Sequence, residues 1–340
     1  MKMEEMGQQP LGRREFNKRC VALGLSLPAI TAMIAGASTL AAASDAASNG
    51  AGRAVKFPEG TIVPAVGQGS AHLGQGRHPE AVEEEALRTG LSLGMTLIDT
   101  AGGYGDGRSE ELIGRVIAGQ RDRVFLVSKV TPYRATRSDI ARACEASLAR
   151  LSTDYLDLYL LHWRNPDTDL SGVVAAFESL REARKIRAWG VSNFNVSDME
   201  DLFSVPHGDR CAINQVYYNI RGRGIEYDLL PWCNKRGMPV MAYAPLGHST
   251  LVSDPTLARI GAAHGCSASA VALAWVIRSG NVVAIPESGS PAHVKENAAA
   301  LSLMLTPEEL QILDAAYPLR WVNLLRPLLD RSKRWLRNWL

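Results

Sequence analysis

From residue 57 onward, short apolar runs alternate with stretches whose apolar residues recur at helical spacing. The runs predict strands at Ala65–Ala71, Thr96–Asp99, Val124–Val130, Leu156–His162, Ala188–Ser192, Ala212–Val216, Pro239–Ala244 and Val282–Pro286. They lack a polar alternate position, as expected of strands covered on both faces. Helices are predicted at Glu80–Leu93, Glu110–Ile117, Ser138–Leu151, Gly172–Arg184, Asp198–Phe203, Asp228–Lys235 and Ser267–Arg278, with Pro291–Ala300 after the last strand. A further helix, Thr306–Ala316, opens on the capping box Thr306-Pro307-Glu308-Glu309. Ahead of the first strand, Val55–Val63 fits a hairpin turning at Pro58-Glu59-Gly60, placed to close a barrel floor.

Strict strand–helix alternation over residues 57–317 predicts an α/β fold, a closed parallel (β/α)8 TIM barrel. The rival is a doubly wound open sheet with a glycine-rich first turn. Gly67-Gln68-Gly69-Ser70-Ala71-His72 departs from that pattern at His72. Composition agrees with a globular body, at 46% hydrophobic and 21% charged residues. A formal net charge of +2 gives no basic patch for nucleic acid.

The first 43 residues read as an address rather than as fold. Arg13-Arg14-Glu15-Phe16-Asn17-Lys18 precedes an apolar stretch from Val21 to Ala35, and small residues close it at Ala41-Ala42-Ala43. The segment resembles a twin-arginine export signal, which implies the export machinery as a partner and a periplasmic location for an already folded chain. An uncleaved membrane anchor, or a start placed too early in a cytoplasmic chain, is the alternative. Residues 44–56 read as a flexible linker. Cys144, Cys211, Cys233 and Cys266 lack metal-ligand spacing, so free buried thiols are expected and no metal site.

In parallel barrels chemistry gathers at the C-terminal strand ends. Here those ends carry Asp99, with Tyr104 five residues on, then Lys129, then His162 beside Trp163. A phenol serves as an acid catalyst when an ammonium beside it favours phenolate, and a carboxylate keeps that ammonium aimed. An imidazole at the same place can orient a carbonyl oxygen.

Leu97–Gly114, Leu160-Leu161-His162-Trp163, Trp189-Gly190-Val191-Ser192-Asn193-Phe194, Ile213-Asn214-Gln215-Val216 and Ala242-Tyr243-Ala244-Pro245-Leu246-Gly247 together resemble the aldo-keto reductase family across residues 57–317. The resemblance implies NADPH- or NADH-dependent reversible reduction of small aldehydes or ketones. Tyr104 would protonate the substrate oxygen, Lys129 and Asp99 would tune it, His162 would orient the carbonyl, and Trp163 would border the substrate pocket. Ser192, Asn193 and Gln215 would hold the nicotinamide carboxamide and Tyr243 its ring, with Ala244, Pro245, Leu246 and Gly247 along the pyrophosphate. Ser288, Glu296 and Asn297 match adenine-end positions.

Two departures stand out. Where the family carries cations for a 2′-phosphate, this chain has Glu287 and His293. A carboxylate repels a phosphate and accepts from a free ribose hydroxyl, which points to relaxed cofactor choice or NADH. The other departure is residues 318–340, a basic, Trp-rich tail with amphipathic helical spacing. It suits either a membrane surface or a flap over the barrel mouth. Two rival functions remain: a non-catalytic nicotinamide-binding redox sensor, and an aldolase using Lys129 as a Schiff-base nucleophile.

Overall fold

The computed structural model describes residues 53–131 and 136–319. The export segment, residues 44–52 of the linker and residues 320–340 of the tail lie outside the described residues.

Strands β1 (Ala54–Lys56) and β2 (Ile62–Pro64) pair antiparallel, with Val55 opposite Val63. The Gly60 N–H closes the turn by donating to the Phe57 carbonyl at 2.9 Å. Because β1 begins at Ala54, the linker boundary at residue 56 needs correcting. The cause is apolar burial: Val55, Phe57 and Val63 are withdrawn from solvent, and Phe57 packs on Phe125 with ring centroids 5.3 Å apart. Phe125 opens a barrel strand, so the hairpin covers the N-terminal end of the barrel, as its sequence suggested.

The barrel strands are β3 (Gln68–Gly69), β4 (Leu97–Asp99), β5 (Phe125–Val130), β6 (Leu156–Leu161), β7 (Ile186–Ser192), β8 (Asn214–Tyr217), β9 (Val240–Tyr243) and β10 (Val282–Ile285). Each pairs in parallel with its neighbour in chain order. The circuit closes through the Gly67 N–H to the Ala284 carbonyl at 2.8 Å, Ala284 N–H to Ala65 at 2.8 Å and Gly69 N–H to Pro286 at 2.9 Å. The sheet thus has no free edge, and all strand C-termini meet at one rim.

Around it run α1 (Glu80–Ser92), α2 (Arg108–Ile117), α3 (Arg137–Leu151), α4 (Leu170–Glu182), α5 (Val196–Ser204), α6 (Leu229–Lys235), α7 (Pro255–Ala263), α8 (Ala268–Val276), α9 (Pro291–Ala298) and α10 (Pro307–Ala316). Helix α7 has no counterpart in the sequence reading, although its start is written plainly. Asp254 caps it by accepting from the Thr256 and Leu257 N–H groups, and Pro255 opens its first turn. The β9–β10 connection therefore carries two helices. The second, α8, is apolar on every side and buried at all nine positions, which places it inside the layer rather than on the surface. The capping box expected for α10 is present at Thr306 and Glu309. The cysteines of the described residues are free thiols, and burial pushes the Cys211 thiol up to about 12.

Candidate active site

Strand order brings the predicted chemistry together. Asp99 ends β4 and pairs with Val127 of β5, so Lys129, two residues further, projects from the same face. The Lys129 ammonium donates to Asp99 Oδ2 at 2.6 Å, to the Thr100 carbonyl at 2.8 Å and to the Tyr104 hydroxyl at 3.1 Å. Three donors meet three acceptors, which satisfies the ammonium without water. Burial acts to lower the Lys129 pKa, but Asp99 and Tyr104 together outweigh it and hold it above its ordinary value. The lysine is charged.

Tyr104 starts a tight turn from β4 into α2. Gly105 and Asp106 take φ of 58° and 56°, and Gly107 takes φ of 93°, a region that strains any side chain. The glycine-rich sequence is what lets the phenol fold back over Lys129. Burial lifts the Tyr104 pKa above its ordinary value, and Lys129 offsets this only in part. That corrects the expectation of a lowered phenol: withdrawal from water outweighs the ammonium, so Tyr104 stands as a protonated donor.

His162 follows β6, its N–H donating to the Val130 carbonyl at 2.9 Å. Its ring meets Tyr104 edge-on at 5.7 Å and stacks on Trp163 at 5.4 Å. Burial, with Lys129 adding to it, pushes its pKa down to about 3, so the imidazole is neutral. The buried Nδ1 has no hydrogen-bond partner among the described residues. A neutral ring can donate one N–H to a carbonyl oxygen without carrying charge into the cleft.

The residues expected at the nicotinamide come from three successive strands. Ser192 Oγ donates to the Gln215 carbonyl at 2.9 Å, Asn193 Nδ2 donates to Ser192 Oγ at 3.0 Å, and the Tyr243 hydroxyl donates to Asn193 Oδ1 at 2.9 Å. Gln215 has a second role that the sequence reading missed. Its amide nitrogen crosses the barrel to donate to Asp99 Oδ1 at 2.7 Å, filling the carboxylate oxygen that Lys129 leaves. Its amide oxygen takes no hydrogen bond from the described residues. An amide oxygen, a hydroxyl and a second amide beside an aromatic face suit a primary carboxamide on a flat ring, so the residues present fit a nicotinamide. Ala244, Pro245, Leu246 and Gly247 continue directly from β9, Ala244 at φ 49° and Gly247 at φ 59°.

At the far end, Glu287 accepts from the His72 N–H at 2.9 Å and meets its ring nitrogen at 3.0 Å. A depression of about 190 Å³ is lined there by His72, Arg77, Glu287, Ser288 and His293 among others. Glu296 and Asn297 do not line it: Glu296 is exposed and Asn297 buried.

Beneath the rim lies polar support that the sequence reading also missed. Ser109 Oγ donates to the Ser70 carbonyl at 2.9 Å, and Ser70 Oγ to the Asp99 carbonyl at 2.9 Å. Glu110 accepts from Ser128 Oγ at 2.6 Å and from Arg150 Nε at 2.7 Å. The available signal was a serine next to Lys129 inside an apolar run. No cluster of His, Cys, Asp and Glu able to hold a metal occurs among the described residues.

The pattern of the aldo/keto reductase family matches residues 65–318. A methylglyoxal reductase of Escherichia coli (strain K12) is 48% identical over 269 residues, covering 78% of this chain and 94% of that protein. An aldo-keto reductase of Mycobacterium sp. (strain KMS) is 33% identical, covering 75% and 90%. The crystal structure of an aldo/keto reductase from Klebsiella pneumoniae, in complex with NADP and acetate, superposes with a TM-score of 0.77 at 47% identity, covering 79% of this chain and 97% of that one.

The depressed His162 value has a sign that stability measurements can check. Its folded pKa of about 3 lies below the ordinary 6.5, so between them the unfolded chain takes the proton first and stability falls as pH drops. Urea unfolding at pH 7 and pH 5 should show the parent losing about 1–2 kcal/mol more than His162→Asn. Equal losses in both proteins would mean that His162 titrates normally.

Proposed function

Because the chain belongs to the aldo/keto reductase family, whose members are nicotinamide-dependent oxidoreductases acting on carbonyl and alcohol groups, we propose that it reduces small aldehydes and ketones with Tyr104 as proton donor. The observation that carries this reading is the Tyr104 hydroxyl 3.1 Å from an ammonium that Asp99 holds at 2.6 Å.

A nicotinamide held by Ser192, Asn193, Gln215 and Tyr243 would supply the hydride that the carbonyl carbon takes up. Tyr104 gives its proton to the carbonyl oxygen as negative charge grows there, and the phenolate left behind faces the Lys129 ammonium. That ammonium needs no rearrangement to meet the charge. Neutral His162 donates to the same oxygen and fixes which face of the carbonyl is presented. Ser192, Asn193 and Gln215 hold the carboxamide, and Tyr243 fixes the ring. Trp163, stacked on His162, borders the substrate side. The name of the Escherichia coli relative supports a small 2-oxoaldehyde as the first substrate to assay. Tyr104→Phe should lower kcat for methylglyoxal and short aldehydes by about 10²–10⁴-fold while leaving cofactor affinity within twofold. A variant as fast as the parent would remove Tyr104 as the acid.

For the cofactor, the pinned carboxylate of Glu287 supports NADH or dual use, although the Klebsiella pneumoniae relative was solved with NADP. Two hydrogen bonds from His72 hold the Glu287 carboxylate in place, where it would repel a 2′-phosphate on a bound nucleotide. The parent should bind NADH at least as tightly as NADPH, and Glu287→Lys should move the ratio of dissociation constants toward NADPH by about tenfold. Clearly tighter NADPH binding by the parent contradicts this.

The paired arginines support export in the folded state, with cofactor carried across inside the protein. In cell fractionation the parent should reach the periplasm with nucleotide bound, and a variant with Arg13 and Arg14 both changed to Lys should stay in the cytoplasm. Equal distribution of the two would refute the export reading.

A further inference from the structure

The segment after β9, residues 244–254, runs along the rim as a strap. Its backbone is unusual. Ala244, His248 and Ser249 hold φ of 49°, 53° and 68°, and Gly247 holds 59°. Left-handed conformations are disfavoured for side chains with a Cβ, and an alanine has no polar group to compensate. Such a shape persists only where its surroundings hold it.

Both ends of the strap are held from outside. At the start, buried Asn219, on the loop after β8, donates through Nδ2 to the Ala244 carbonyl at 3.1 Å. At the end, Asp254 receives Arg221 Nη2 from the same loop at 2.7 Å and also the hydroxyl of Tyr317, just beyond α10. Arg221 lies over the Tyr317 ring, 5.9 Å from its centroid. Tyr317 is itself fixed, because Arg223 donates to its carbonyl at 3.1 Å and to Asp314 of α10 at 2.6 Å. Loop, strap and C-terminal helix therefore meet at one carboxylate. Asp254 also caps α7, accepting from the Thr256 and Leu257 N–H groups at 3.0 and 3.2 Å, so the strap cannot shift without unseating that helix.

We propose that Arg221, Asp254 and Tyr317 form a clasp that holds the strap in the shape that grips the cofactor pyrophosphate, and so sets how long the nucleotide stays bound. The proposal rests on the reading of Ala244–Gly247 as the pyrophosphate loop and assigns positioning residues to it. None of the three hydrogen-bonds to Tyr104, Asp99, Lys129 or His162, so the clasp acts on retention and not on proton transfer. It also stays shut across working pH. Burial, reinforced by Asp254, pushes the Tyr317 hydroxyl up to about 12, so it remains a donor. Burial works to raise the Asp254 carboxyl, but Tyr317, Arg221 and the two helix N–H groups outweigh it and hold it below the usual carboxylate value.

The test uses the full chain and two mild variants, Tyr317→Phe and Arg221→Met, each keeping most of the side chain it alters. Dissociation constants for NADH and NADPH come from titration calorimetry, and release rates from stopped-flow fluorescence. Each variant should weaken binding of the nucleotide that the parent prefers by about tenfold, chiefly through faster release. The kcat at saturating cofactor should not fall, and Arg221→Lys should recover part of the affinity. A merely structural role would lower the melting temperature and leave release unchanged. Dissociation constants and release rates within twofold of the parent in both variants overturn the clasp. A parent that binds neither nucleotide overturns it too, but by removing the cofactor reading beneath it, so the two failures are distinct.

Discussion

An ammonium and a carboxylate shut away from water hold the active site in register. Lys129 and Asp99 are 1% and 2% exposed, and neither charge would be tolerated there alone. Each supplies what the other needs, and the remaining valences go to Thr100, Tyr104 and Gln215. The pair therefore fixes a hydroxyl donor on one side and an amide on the other. The Tyr104 hydroxyl and the Gln215 amide, the proposed proton donor and part of the proposed nicotinamide pocket, thus share one electrostatic centre, and neither can drift without opening it.

That centre exists because the barrel closes. Asp99 and Lys129 are neighbours through the parallel register of β4 and β5, but Gln215 reaches Asp99 only because β8 has come round to face β4 across the interior. Closure through Gly67, Ala65 and Gly69 to β10 thus has a chemical result as well as a structural one. The same geometry brings Glu287, just beyond β10, against His72, just beyond β3. That seam is where we propose that cofactor preference is set.

Much of this was legible in the chain. Asp99, Tyr104, Lys129 and His162 stand out because titratable residues are rare at the ends of apolar runs, and the strand count follows from runs bounded by turns. What stayed hidden depended on distance or on balance. No local pattern announces that residues 99 and 215 touch. The direction of the Tyr104 shift turns on whether burial or the ammonium wins, which needs the depth of the site. Helix α7 was overlooked although Asp254-Pro255 marks its start, because a short segment beside the buried α8 blurs into one apolar stretch. The linker reading of residues 44–56 overlaps the hairpin read from Val55, and the strand starts one residue earlier still, at Ala54, whose small side chain resembles the Ala- and Ser-rich segment before it.

The most direct test is the reduction rate of Lys129→Met compared with the double variant Lys129→Met, Asp99→Asn. Removing the lysine alone leaves an unpaired buried carboxylate, a cost of about 3–5 kcal/mol in stability, whereas the double variant removes that charge and should stay folded. With cofactor binding confirmed by calorimetry, the double variant should lose at least about a hundredfold in kcat for short aldehydes. Turnover within threefold of the parent by that folded, cofactor-binding variant would contradict the dependence of Tyr104 on the ion pair.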